Sequence, residues 1–203
     1  MLISFIKLII IFLLSCLIMK AQDIRTSFVK KYSNVSSISV KFTVDNQNET
    51  LTMKAKKGNK FVLEQKSIIM YCDGTTVWNV NKETNKCMIS QRDIHNESTS
   101  IDDIFLGVMN KYIIEKTMTV NESASGTGYY VVMKPKSKDA VINGIENLII
   151  ILDKKTLQIK TIQFKDNTNS HTITIKSMKL NEKINNSVFS FTPTKAMTIV
   201  DLR

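Results

Sequence analysis

Few side chains of this chain are arranged for chemistry. The two histidines are His95, in a polar stretch, and His171, at the start of a predicted strand. Neither stands near a cysteine, aspartate or glutamate at the spacing that metal ligands take, so an ordinary surface histidine is the simpler interpretation of each. The sequence therefore predicts no metal site.

Catalytic motifs are also missing from the sequence. Serine and aspartate are common, but there is no Gly-x-Ser-x-Gly elbow and no glycine-rich loop that would cradle a phosphate. Asp102 and Asp103 are adjacent, and adjacent residues of a helix do not face one another, so a helix start explains them better than a catalytic carboxylate pair. We expect no catalytic residues, no cofactor and no enzymatic activity.

Cys72 and Cys87 flank the single tryptophan, Trp78, within a stretch from Ile68 to Gln91 that predicts three strands. Asp73-Gly74 between two β-rich runs is a strong signal for a two-residue hairpin loop. Such a loop sets Cys72 opposite Thr75, and a plausible register for the next turn sets Cys87 opposite Trp78. The thiols are then about two strand spacings (~9–10 Å) apart, beyond the ~7 Å Cα limit for a disulfide. Separate thiols are favoured, and a register slip that permits a bridge stays an alternative. In the favoured register one face carries Ile69, Tyr71, Trp78, Cys87 and Ile89.

Strands are predicted along most of the chain by strict alternation of apolar and polar side chains. Before the three central strands, alternation predicts strands with inward residues Ile38, Val40, Phe42 and Val44, then Leu51, Met53 and Ala55, then Phe61 and Leu63. After residue 115, strands are expected around Lys116–Val120, Tyr129–Lys134, Ile145–Leu152, Leu157–Lys165 and His171–Leu180. About eleven strands joined mostly by short links form a meander that tends to curl or close.

Two of the late strands change phase midway. Leu157 and Ile159 give way to Ile162 and Phe164, and Ile175 gives way to Met178. A one-residue change of phase is what a β-bulge produces, and bulges bend a sheet. The sequence thus predicts a mainly β, α+β fold whose sheet is curved.

Two amphipathic helices are predicted outside the strands. The first carries Ile24, Phe28, Val29, Tyr32 and Val35 on one stripe. The second carries Ile101, Ile104, Phe105, Val108, Met109 and Tyr112. An apolar stripe needs an apolar surface to cover, and the ten methionines of the chain suit an adaptable surface of that kind as well as ordinary core filling.

The first residues predict export. Lys7 followed by the uncharged apolar run from Leu8 resembles a secretory signal, and that run is short for a membrane span of ~20 residues. We expect residues 1–21 to be a signal peptide, cleaved after Ala21, and residues 22–203 to form a single exported domain. A lipobox-like Leu13-Leu14-Ser15-Cys16, with Cys16 as a lipid anchor, is the alternative.

The formal net charge of +10 permits nucleic acid or an anionic membrane as partner. The lysines are spread along strands and turns instead of forming a run. Solvated outer faces of strands explain them, and nucleic acid is not expected as a partner.

Several short motifs resemble the LolA family of periplasmic lipoprotein carriers, over Asp23 to Arg203. They are Asp73-Gly74-Thr75-Thr76-Val77-Trp78-Asn79-Val80-Asn81, Leu152-Asp153-Lys154-Lys155-Thr156-Leu157, Asp166-Asn167 and Phe189-Ser190-Phe191-Thr192-Pro193. The chain departs from the family at Lys56-Lys57-Gly58, where a basic-Arg-Pro turn is usual. It departs again at Thr194-Lys195-Ala196, which replaces a closing Pro-x-Gly.

The resemblance implies an incomplete antiparallel β-barrel with helices as a lid over an apolar cavity. It implies a monomeric carrier of acylated lipoproteins between an inner-membrane ABC-type release complex and an outer-membrane acceptor. Lys57 matches the arginine that helps hold the lid and release cargo, although lysine lacks the bidentate fork of arginine. The residues expected at the acyl-chain cavity and lid are Ile38, Val40, Phe42, Leu51, Met53, Phe61, Leu63, Ile69, Trp78, Ile101, Ile104, Phe105, Val108 and Met109.

Two other functions remain open at this point. An acceptor of the same fold, anchored to the membrane through Cys16, would carry a diacylated N-terminal cysteine in its mature form. A sensor or interaction module would have a barrel that is simply a packed core, with no cavity beneath the helices.

Overall fold

The computed structural model describes residues 24–45, 47–92, 105, 107–122, 126–142, 144–166 and 169–203. Within them, six strands follow one another through short turns, and each pairs antiparallel with the next. This first meander consists of β1 (Ser37–Val44), β2 (Leu51–Lys56), β3 (Lys60–Gln65), β4 (Ile68–Asp73), β5 (Thr76–Asn81) and β6 (Lys86–Gln91).

A second antiparallel meander follows. It consists of β7 (Tyr112–Glu122), β8 (Gly126–Pro135), β9 (Leu148–Asp153), β10 (Ile159–Lys165) and β11 (Ser170–Leu180). Pairing of β1 with β11 joins the two meanders into one sheet. The order of the strands in that sheet is β12-β6-β5-β4-β3-β2-β1-β11-β10-β9-β8-β7, with β12 (Thr198–Asp201) and β7 at its edges. The fold is therefore an open, incomplete barrel, as expected.

The strand β12 is an addition to the eleven strands that the sequence predicts. It pairs parallel with β6, with Ile199 aligned to Cys87. All four of its residues are exposed, so the sequence there shows none of the buried-exposed alternation by which the other strands can be recognised.

The predicted bulges are confirmed. The register shifts between Ile159 and Thr161 where β10 pairs with β9, and it shifts between Lys41 and Phe42 where β1 pairs with β11. A third shift, between Ile114 and Lys116 of β7, was not predicted. Each shift inserts a residue on one strand, which bends the sheet locally.

The Asp73-Gly74 turn differs from the two-residue hairpin loop that the sequence predicts. Cys72 pairs with Val77, so the loop is longer. The Oδ1 atom of Asp73 accepts hydrogen bonds from the backbone N–H of Thr75 at 2.9 Å and of Thr76 at 2.9 Å. Gly74 has φ +110°, and a Cβ there would lie 2.6 Å from the carbonyl oxygen of Gly58. The side chain of Asp73 thus stabilises a wider turn than a type I′ loop.

The two thiols lie on opposite faces of the sheet. Cys72 pairs with Val77, and Cys87 pairs with Val80 instead of the Trp78 that the expected register implied. Both cysteines are buried and neither is in a disulfide, so separate thiols are confirmed. The shared face of Ile69, Tyr71, Trp78, Cys87 and Ile89 is also confirmed. Each pairing differs from the expected one by two residues, and a shift of two leaves every side chain on the same face.

Two α-helices accompany the sheet in the part of the chain that the structure describes. Helix α1 covers residues 24–32, and α2 covers Val108–Lys111. Tyr112, predicted as the last apolar position of the second helix, begins β7 instead. Its hydroxyl donates to the carbonyl oxygen of Ile145 at 2.6 Å and accepts from the N–H of Ile142 at 3.1 Å. No helix of the described residues is long and apolar enough to span a membrane.

The main core lies on one face of the sheet, which we call the inner face. It is the face of Val40 and Phe42 in β1, which are 1% and 0% exposed. Helix α1 packs on this face through the buried Phe28 and Tyr32. Arg25 donates to the carbonyl oxygen of Glu115, and Lys31 donates to that of Thr156. These contacts place α1 between β7 and the β9–β10 turn.

A cluster of three titratable side chains joins the end of β1 to the β10–β11 turn. Nδ1 of His171 lies 2.9 Å from a carboxylate oxygen of Asp45, and Nε2 lies 3.0 Å from one of Asp166. The hydrogen bonds with Asp45 and Asp166 raise the pKa of His171 above its ordinary value of 6.5. The hydrogen bond with His171 lowers the pKa of Asp45. His171 is therefore a structural residue with two acidic partners, which its sequence neighbours did not indicate.

We predict that Tyr32→Phe lowers the free energy of unfolding by about 1–3 kcal/mol, because it leaves buried backbone groups unpaired. The Tyr32 hydroxyl donates to the carbonyl oxygen of Leu157 at 2.9 Å and accepts from the N–H of Ile159 at 3.1 Å. Urea unfolding measures the change. Tyr71→Phe is the matched control, since the Tyr71 hydroxyl makes no hydrogen bond to the described residues; an equal loss in both variants would contradict the assignment.

We also predict that His171 contributes stability that depends on pH. Because its folded pKa is raised, this contribution is present below the unfolded value of 6.5 and is lost as pH rises through the folded pKa. The Asp45 contribution is lost as pH falls below its ordinary 3.8. Unfolding free energy should fall from pH 6 upward by at most about 1 kcal/mol, since the groups are partly exposed. This decrease in unfolding free energy should be smaller in His171→Gln than in the wild type. The same pH dependence in both proteins would contradict the role of His171.

Candidate apolar binding surface

The side chains of the inner face are buried to different degrees in different strands. In β1 and β2 its side chains are closed off, with Met53 0% exposed. In β3, β4 and β5 its side chains Leu63, Met70 and Val77 are only half-buried. We call these three residues the inner strip. Its neighbours Ile68 and Met88 are 37% and 43% exposed, so the apolar surface continues to the solvent.

These differences in burial arise because helix α1 and the chain after β11 cover different parts of the sheet. Helix α1 packs toward the β7–β10 half. On the outer face of β3–β6 the cover is the segment after β11, whose Phe189 is 0% exposed and packs with Val62 and Ile69. The ring of Phe191 stacks on Tyr71 with centroids 5.2 Å apart. Each half of the sheet is thus covered on a different face, and the inner strip belongs to the less covered half.

Phe105 and α2, which precede β7, lie against the middle of the inner face. The ring centroid of Phe105 lies 5.7 Å from that of Phe42. Val108 is 4% exposed, and Met109 packs against the main core. These three predicted lid residues therefore lie against the inner face. Ile101 and Ile104, also predicted there, lie outside the described residues.

The structure divides the remaining predicted site residues into two groups. Two of them, Ile69 and Trp78, lie on the outer face. Ile69 packs with Phe189, and Trp78 packs against the cluster of Val80, Cys87 and Ile89. Their alternation was predicted correctly, but sequence alone did not show which face is inner. The others belong to the inner-face core or pack against it: Ile38, Val40, Phe42, Leu51, Met53, Phe61 and Leu63.

Lys57, predicted to act in lid release, lies in an exposed turn. Its backbone N–H donates to the carbonyl oxygen of Ser36 at 2.9 Å. Its side chain makes no hydrogen bond or ion pair with the described part of the chain. A role in release stays a prediction.

Arg92 is a cation that reaches the inner face, and it was not among the predicted site residues. It follows β6, and Nη1 donates to the carbonyl oxygen of Asn59 at 3.2 Å. The guanidinium carbon lies 6.0 Å from the ring centroid of Phe61, and Nη1 lies 3.9 Å from Sγ of Cys72. Its position two residues after the inward-facing Ser90 is a signal that the alternation of β6 could have given.

The surface contains little that suits catalysis. Among the residues that the structure describes, no three histidine, cysteine, aspartate or glutamate side chains form a metal-binding group. Both thiols are buried, and burial raises the pKa of Cys87, which disfavours the reactive thiolate. What the arrangement offers chemically is apolar contact area with a cation at one end.

An open, curved sheet with an apolar inner face and helical cover defines a class of incomplete β-barrels that bind apolar ligands. The chain belongs to the LolA family: the family model described as "Outer membrane lipoprotein carrier protein LolA" matches residues 33–192. No curated protein matches the chain in sequence.

Several solved structures are similar to the chain at low sequence identity. An uncharacterized conserved protein from Thermus thermophilus has a TM-score of 0.51 at 15% identity, covering 89% of this chain and 98% of that one. A putative outer membrane lipoprotein-sorting protein domain from Vibrio parahaemolyticus has a TM-score of 0.46 at 11% identity, covering 84% and 96%. LprF from Mycobacterium bovis has a TM-score of 0.48 at 12% identity, covering 82% and 95%. At such identities the likeness concerns the fold alone.

Two valines of β5 allow the unequal cover to be tested. Val80 is 4% exposed beneath the outer cover, whereas Val77 is half-buried in the inner strip. We predict that Val80→Ala lowers the free energy of unfolding by about 1.5–3 kcal/mol, through lost burial and a cavity. Val77→Ala should cost less than half as much. Denaturant unfolding of both variants measures this, and equal losses would show that the inner strip is as closed as the outer core.

Proposed function

We propose that the protein is a periplasmic carrier that shields the acyl chains of lipoproteins and takes them from the inner to the outer membrane. The observation that carries the proposal is the half-buried inner strip, which lies on the same inner face as Phe42, the residue that Phe105 covers. A packed structural core would leave its apolar side chains closed off, as they are in β1 and β2. A carrier needs apolar surface that is partly exposed in the free protein and becomes buried when a ligand binds.

The energy of an acyl chain explains why cover is required. Burial of each CH₂ contributes about 0.8 kcal/mol, so a ~16-carbon chain loses about 12 kcal/mol when it is exposed to water. A carrier must offset most of that loss during transit. It must also release the chain, and release is easier from a surface that is partly open than from a closed core.

Phe105 and α2 form the proposed moving cover. Phe105 contacts Phe42 at the middle of the inner face, so its displacement would expose Phe42 and extend the open apolar surface from the inner strip to β1. The proposed donor is an inner-membrane ABC-type release complex, and the proposed recipient is an outer-membrane acceptor. Helix α1 is held by its contacts to Thr156 and Glu115, which suits it less well for movement.

The test uses purified mature protein incubated with membranes that contain acylated lipoprotein. We expect wild-type protein to extract and retain the acylated form. Phe105→Lys should retain at least ~10-fold less, because a charge on the cover disfavours its closure over an apolar ligand. Retention is measured by co-elution of the lipoprotein on size exclusion.

Ile199→Lys is the matched control, since Ile199 is 50% exposed on the edge strand β12, away from the inner face. Its retention should equal that of the wild type. If wild-type protein neither accepts acylated lipoprotein nor co-purifies with it, the carrier function is wrong. If Phe105→Lys retains lipoprotein normally, Phe105 is not part of the cover. The mass of the mature N-terminus separates the soluble carrier from an acceptor acylated at Cys16.

A further inference from the structure

The inner strip has a polar end. The pairings place Cys72, Val77 and Ser90 side by side across β4, β5 and β6, and Arg92 comes two residues later on the inner side. Farther along the same strands, Met70, Asn79 and Met88 are side by side. Met70 of β4 pairs with Leu63 of β3, so the strip runs diagonally across three neighbouring strands, from Val77 near Arg92 to Leu63. This direction is available to an extended apolar ligand.

Arg92 is held in position at that end. Asn59 accepts a hydrogen bond from one side of the guanidinium, and the ring of Phe61 lies 6.0 Å below it. A guanidinium carries five N–H donors in one plane, so it can serve several acceptors at once, an oxygen of a ligand among them. Hydrogen bonds from a charged donor are stronger than neutral ones.

Two uncharged polar side chains border the strip on the same side. Asn79 and Ser90 are half-buried on the inner face, and their side chains make no hydrogen bond to any described residue. Half-buried polar groups of this kind are satisfied by water or by a ligand. They separate the apolar strip of β3–β5 from the sheet edge at β6 and β12.

We propose that Arg92 binds the oxygen-bearing head of the acyl ligand, its carbonyl or carboxylate, while the alkyl chain lies along Val77, Met70 and Leu63. The inference rests on the proposed function and deepens it, because it gives the cargo an orientation in the site. Arg92 is then a residue that selects acyl groups over plain hydrocarbon.

The opposite orientation would place the head near Lys86, which lies on the inner side at the far end of β6 and pairs with Asn81. Lys86 is exposed, whereas Arg92 is held against Phe61 and Asn59. A head group gains more from a positioned and partly desolvated cation than from a fully hydrated one. The geometry thus favours the Arg92 end.

The experiment compares palmitate with hexadecanol, which share the alkyl chain and differ in the head. Each is titrated against a fluorescent fatty-acid probe bound to purified mature protein, and displacement gives the two affinities. We expect Arg92→Gln to weaken palmitate binding by at least ~10-fold, the effect of a hydrogen bond to a charged group. Hexadecanol binding should change less than about 3-fold, and Arg92→Lys should restore part of the palmitate affinity.

Lys82→Gln and Lys86→Gln are the matched controls, because each removes one positive charge near the sheet without touching Arg92. Neither should change the preference for palmitate. An equal loss of both ligands in Arg92→Gln would show that Arg92 only supports the fold, and a selective loss in Lys86→Gln would show the opposite orientation. Either result overturns the inference and leaves the carrier function standing. Wild-type protein that binds neither ligand would overturn both.

Discussion

The pairing of β1 with β11 is the interaction on which the rest of the structure depends. Nearly every other pair in the sheet joins neighbouring strands of a meander, which the chain can form locally, whereas this pair joins residues 37–44 to residues 170–180. It aligns Val40 with Met178 on one side while β2 aligns Met53 with Val40 on the other. The inner faces of both meanders thereby become one continuous apolar surface. Without this pairing, each meander would have an open edge and only part of a core.

The two faces of this sheet are covered by different parts of the chain. A strand alternates its side chains between two faces, so a sheet with apolar residues on both faces needs two covers. Helix α1 supplies the inner cover of the β7–β10 half, and the chain after β11 supplies the outer cover of β3–β6. The inner strip of Leu63, Met70 and Val77 is left with partial cover. The apolar area that stays partly open therefore lies where the two covers do not overlap, and Phe105 packs on Phe42 of β1 in the middle of the sheet.

Much of the fold could be predicted from the sequence, because alternation and helical periodicity are local properties. The bulges of β10 and β11 were visible as changes of phase, and the shared face of Tyr71 and Trp78 followed from the hairpins. Which face is inner could not be predicted, because that depends on where the distant residues Phe189 and Phe191 pack. The sequence therefore does not show that Ile69 and Trp78 lie on the outer face, apart from the other predicted site residues. The contacts of Arg92 with Asn59 and of His171 with Asp45 are not visible either, since strand pairing brings together residues that are far apart in the chain.

An apolar ligand on the inner face of β3–β5 can be located by photo-crosslinking. Mature protein is irradiated with a palmitate analogue that carries a diazirine along the chain, and the adducts are mapped by mass spectrometry. We expect adducts on the peptides that carry Leu63, Met70 and Val77, at those inward residues. Adducts at outward residues such as Val62, Ile69 and Val80, or adducts scattered over the sheet and competed by no excess of palmitate, would contradict this expectation.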